Sequence, residues 1–146
     1  MLLTDEMCHS ASIVVEAEAK QAYAFISDPL YLGIWAFGSW ESRPFNGDIH
    51  EGVSLFTGGR SYSRLTAYPS ALQVDFEIGS APDALVPRIV IRILPGRHLG
   101  LPPEHCLVTV LAWRSQDADE QRWRLTCASH ETEVFRLKHV IENQVG

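Results

Sequence analysis

His130 holds the position from which a side chain could do chemistry. Trp123, Cys127, His130, Val134, Leu137 and Ile141 recur at 4-3-4-3-4 spacing, which places them on one stripe of a helix. An imidazole on such a stripe can hold one hydrogen bond to a ligand or act as general acid or base near neutral pH. The same position equally suits a core histidine satisfied by a strand residue such as Thr109. Tyr62, Arg64 and Thr66 alternate along a segment that mixes polar and apolar residues on both faces. If they point inward, Tyr62 and Arg64 could share proton transfer with His130. Arg88 and Arg92 share a strand face with Val90 and could clamp a carboxylate. Three isoleucines, Ile89, Ile91 and Ile93, occupy the opposite face and place the two arginines on the solvated side.

Other chemistries lack their motifs. No GxSxG elbow, Walker-type loop or GxGxxG is present. His98 and His105 flank a loop without metal-ligand spacing, and no carboxylate–histidine cluster stands out, so neither a metal nor a cofactor is expected. Gly58-Gly59 reads as a hairpin turn. The three cysteines, Cys8, Cys106 and Cys127, are odd in number, widely spaced and without a CxxC, which fits reduced thiols. Cys127 reads as a small buried hydrophobe.

The elements that position these residues follow from the pattern of the chain. Its 146 residues suit one domain, 1–146, with residues 1–7 as a flexible N-terminus. Apolar residues make up 46% and charged residues 21%, an ordinary globular balance. A net charge of −6 without a basic cluster argues against nucleic acid and anionic membrane surfaces as partners. Neither a membrane span nor a signal peptide is visible, so the expected location is cytoplasmic.

Ser12 to Ala17 reads as a strand and Ala19 to Asp28 as a short helix. Asp28-Pro29 ends that helix, and Pro29 opens a second short one. Strands follow at Trp40–Phe45, Val53–Thr57, Ser61–Tyr68, Leu72–Ile78 and Val86–Leu94. In the last strand Leu107, Thr109, Leu111 and Trp113 share a face opposite Val108 and Val110. The proline-rich loop 95–104 precedes it. A helix of roughly 25 residues ends the chain, long enough to lie across a sheet. Its charged residues, Glu133 among them, cover the faces outside the stripe. The class is therefore α+β, with six to seven antiparallel strands and the last helix covering one face.

The segment Ile13-Val14-Val15-Glu16-Ala17-Glu18-Ala19, then Ala22-Tyr23-Ala24-Phe25-Ile26-Ser27-Asp28-Pro29, Leu32 and Trp35, resembles the opening of the SRPBCC superfamily. Its members include Bet v 1-like, START-related and polyketide cyclase/dehydrase-like proteins. The later strands and the long last helix agree in order, so the resemblance spans nearly the whole chain. It implies a helix-grip fold, in which a curved sheet grips the long helix around a deep apolar cavity. Such a cavity would draw its lining from Trp35, Phe37, Trp40, Phe56, Phe76 and Trp113. Ile91, Thr109, Trp123, Cys127 and Val134 would complete it. The aromatics suit a site that must orient an apolar ligand, and equally a filled core.

Three functions stay open. One is binding or transport of a small hydrophobic ligand, lipid-like or aromatic. Another is a polyketide cyclase/dehydratase-like enzyme with His130, and Tyr62 or Arg64, moving protons. The third is a protein-interaction module on the same scaffold, with Phe135 and Val140 on an exposed patch. A homodimer is compatible with each. Loop 95–104 could help to close the cavity mouth.

Overall fold

A computed structural model describes residues 6–144 of the chain. The N-terminal residues 1–5, expected to be flexible, lie outside the described residues. Glu6 and Met7 are tied down: the Arg114 side chain donates to the Glu6 carbonyl at 3.3 Å and the Arg114 amide to the Met7 carbonyl at 2.8 Å.

Strand β1 (Cys8–Val15) leads into α1 (Ala19–Ile26), whose buried face is Ala19, Ala22, Phe25 and Ile26. The second short helix is a 3-10 turn, Pro29–Ile34, capped by the Asp28 carboxylate, which accepts from the Leu30 amide at 3.0 Å. Six further strands follow: β2 (Trp40–Asn46), β3 (Ile49–Val53), β4 (Arg60–Tyr68), β5 (Gln73–Gly79), β6 (Val86–Pro95) and β7 (Cys106–Trp113). They form one curved antiparallel sheet in the order β1-β7-β6-β5-β4-β3-β2. The chain closes with α2 (Glu120–Glu142), a helix of 23 residues whose N-cap Asp119 accepts from the Arg122 amide at 2.8 Å. The class is α+β and the architecture a helix grip. No helix among the described residues is long and apolar enough to cross a membrane.

Two strand assignments change. Only Val53 of the segment 53–57 is in a strand, as the last residue of β3, and 54–57 form a turn, because Gly47, at φ 56, closes a tight hairpin and pairing resumes at Ile49. Ser54 then nucleates the next turn, accepting from Gly58 at its carbonyl and from Phe56 at its hydroxyl. On β7 the faces are exchanged. Ile89, Ile91 and Ile93 stand opposite Ala112, Val110 and Val108, and directly opposed residues share a face. The isoleucine face is the inner one, so Val108, Val110 and Ala112 are buried while Thr109 points outward and bonds Ser12 at 2.9 Å.

The packed core occupies one end of the sandwich. Val134, Leu137 and Ile141 of α2 join Val15, Phe25, Ile26, Ile93 and Val108 there. Val140, expected on an exposed patch, packs against this cluster, while Phe135 is 67% exposed. Loop 95–104 sits at the same end, where Pro95 pairs with Cys106. The cavity opens at the other end, and the loop does not reach its mouth.

Candidate functional site

Under the N-terminal half of α2, which touches the sheet through His9 of β1, a cavity of about 720 Å³ separates the helix from strands β4 to β6. Leu32, Trp35 and Ala36 form one wall, Phe76, Ile78 and Ile89 the sheet side, and Trp123, Thr126, His130 and Glu133 the helix side. Exposed residues such as Thr57, Arg60, Ser80 and Gln116 mark the mouth. Ala112 contributes the sheet side nearest β1.

The helix face turned to the cavity is offset from the stripe read in the sequence. Trp123, Thr126, His130 and Glu133 are spaced 3-4-3, so Cys127 falls beside the cavity, half-buried, and Glu133 falls in it. Glu133 is 3% exposed. Burial pushes its carboxyl up to about 8, although the Phe37 amide hydrogen bond works the other way. The acid is therefore largely neutral at pH 7. His130 is 4% exposed. Burial lowers its imidazole to about 4, with His9 adding to the effect from a ring centroid 6.3 Å away. Its Nδ1 has no hydrogen-bond partner among the described residues, and the same holds for the indole Nε1 of Trp35. Thr109 does not satisfy His130, since it lies on the outer face of the sheet.

At the mouth the Arg122 guanidinium lies 4.7 Å from the centre of the Phe56 ring, a cation–π contact joining α2 to the β3–β4 turn. Asp117 is held below the usual carboxylate range by the Ser115 hydroxyl and its own amide, with Arg122 and Arg88 assisting. Arg88 was expected on the outer face with Arg92. A bulge between Phe76 and Glu77 leaves Arg88 unpaired in the ladder and turns it into the cavity lining, whereas Arg92 stays exposed.

The remaining expected residues divide. Trp35, Phe56, Phe76, Trp113 and Trp123 line the cavity, Trp113 at 39% exposure. Ile91 and Val134 are buried in the core beyond it. Phe37 and Trp40 pack on each other, centroids 6.0 Å apart, outside the lining. Tyr62 and Arg64 do not reach the cavity, because the inward residues of β4 are Ser61 and Ser63. Tyr62 meets Phe45, centroids 5.2 Å apart, and Arg64 pairs with Asp48 at 3.1 Å and Glu77 at 3.8 Å. Burial pushes the Cys106 thiol up to about 11, with Glu142 adding to it, which suits a core residue and not a nucleophile.

No family model matches the chain, and no curated protein matches it in sequence. Solved structures do match in fold. An aromatase/cyclase, Zhui, from a Streptomyces species is 10% identical, with a TM-score of 0.69 and 95% of each chain covered. A START superfamily protein from Mycobacterium smegmatis is 16% identical at a TM-score of 0.59, covering 93% of this chain and 94% of that one. The Aha1 dimer from Colwellia psychrerythraea is 13% identical at 0.66, covering 95% and 98%. The chain thus shares the fold of START-like and aromatase/cyclase proteins.

Proposed function

We propose that this protein binds a small, largely apolar molecule in the cavity between the sheet and α2. The observation that carries this reading is the unfilled space of about 720 Å³ beside an otherwise closed core. That volume lies within the ~300–1,000 Å³ usual for small-molecule sites. Trp35, Phe56, Phe76 and Trp123 supply apolar contact, and a few polar groups are available to set orientation. The test is native mass spectrometry of the protein as isolated, with identification of any mass released on denaturation. A stoichiometric lipid-like or aromatic passenger is the expected result. A protein that is empty as isolated and takes up nothing from a panel of lipids and polycyclic aromatics would overturn it.

A second reading, a cyclase/dehydratase-like enzyme, is favoured by one observation. His130 and Glu133 stand three residues apart on α2 and line the same cavity. A neutral imidazole can take the α-proton of a ketone while a neutral carboxylic acid donates to its oxygen, the pairing needed for aldol closure. The likeness in fold to an aromatase/cyclase agrees with this. Tyr62 and Arg64 have no part in it.

A further inference from the structure

We infer that the inner end of the cavity is a carbonyl subsite, where the side chains of Trp35, His130 and Glu133 hold a neutral ketone- or quinone-type oxygen of the bound molecule. The inference rests on the cavity being a small-molecule site and adds the chemistry of the group that enters it. Trp35 is 1% exposed and His130 4%, they come from different elements, and both line the cavity. The indole Nε1 and the imidazole Nδ1 have no partner among the described residues. Buried polar atoms are nearly always paired, so these two orphans, with Arg122 Nε as a third on the same lining, point to partners brought by a ligand. Glu133 belongs to the same group. It lies within one helical turn of His130, and the Phe37 amide, two residues beyond Trp35, donates to it.

The donors decide the class of ligand. An indole N–H can only donate, and a carboxylic acid presents an O–H, so the complement is an oxygen with free lone pairs. A carboxylate or phosphate does not suit this end, because the burial that keeps Glu133 protonated would penalise a second anion equally. Charged partners for an anion, Arg60 and Arg122, are grouped instead with the mouth residues. A plain hydrocarbon would leave the indole and imidazole atoms unpaired.

The experiment compares two probes of nearly the same shape, 2-acetylnaphthalene and 2-isopropenylnaphthalene, which differ in C=O against C=CH₂. Affinities of the full chain are measured by titration calorimetry, and the ketone stretch by infrared difference spectroscopy. The expected result is that the ketone binds tighter by roughly tenfold or more, with its carbonyl stretch moved to lower frequency. Trp35→Phe and Glu133→Leu should each shrink the preference for the ketone over the hydrocarbon, whatever each does to apolar packing in general. Equal affinities with an unshifted stretch would overturn the subsite and leave the cavity reading standing. Uptake of neither probe would overturn the subsite, and together with a protein that is empty as isolated and takes up nothing from the wider panel it would overturn the cavity reading as well. The comparison in the unmodified protein requires no variant to fold.

Discussion

Glu133 and His130 face one cavity with opposite protonation preferences, and their effects on stability have opposite signs. Glu133 rises from 4.5 to about 8 on folding. Its contribution is fully present below pH 4.5 and is lost as pH rises through 8. His130 falls from 6.5 to about 4, so the unfolded chain binds the extra proton and stability is lost as pH drops from 6.5 to 4. The two slopes oppose each other between pH 4.5 and 6.5, while between 6.5 and 8 only the decline from Glu133 remains. Glu133→Gln should therefore abolish the loss of stability above pH 6.5. His130→Leu should leave an unopposed decline starting from pH 4.5. Urea unfolding across this range checks both, and a glutamine variant whose curve merely parallels the parent would contradict the assignment.

At the scale of elements, the cavity wall depends on how closely the Pro29–Ile34 turn approaches β2. A Cβ on Gly33 would meet the Ser42 amide nitrogen at 2.3 Å and the Glu41 carbonyl carbon at 2.9 Å, both backbone atoms that cannot rotate away. Gly33→Ala should lift this turn, displace Leu32 and Trp35, and destabilise by about 1–3 kcal/mol as overpacking does. Gly38→Ala is the control, since its Cβ would meet only the Phe56 ring at an ordinary 3.6 Å. Thermal melts should show a clear drop for the first and little change for the second. The bulge opposite Phe76 and Glu77 is a second device of this kind, because it separates Arg88 from Arg92.

For the molecule as a whole, the grip is packed at one end and open at the other, so space for a ligand is kept where more core could have formed. Ala112 is 2% exposed and faces the cavity from β7. Ala112→Leu should fill part of that space, raise stability by about 0.5–2 kcal/mol and weaken uptake of apolar probes. Calorimetric melting and probe titration read the two effects. A variant that melts higher yet binds equally well would show that the volume beside Ala112 is not where ligands sit.

Much of this architecture was legible in the residues. β-branched runs, the Asp28-Pro29 stop, the Asn46-Gly47-Asp48 hairpin and the 4-3-4 stripe of α2 are local signals, and local backbone physics is enough to read them. The position of His130 followed from the stripe, as did the inner face of β6 from its isoleucines. What sequence could not decide was the facing of residues whose two sides look alike. β7 is apolar on both faces, and only its register against β6 sends Val110 inward and Thr109 out. Glu133 reads as a solvated carboxylate, though Thr126, His130 and Glu133 at 4-3 spacing traced a second row beside the stripe. Burial is a property of the neighbours on other elements. Only when the Trp35–Phe37 segment closes over α2 does Glu133 become a neutral acid in a cavity, and only a ladder mismatch turns Arg88 towards the same space.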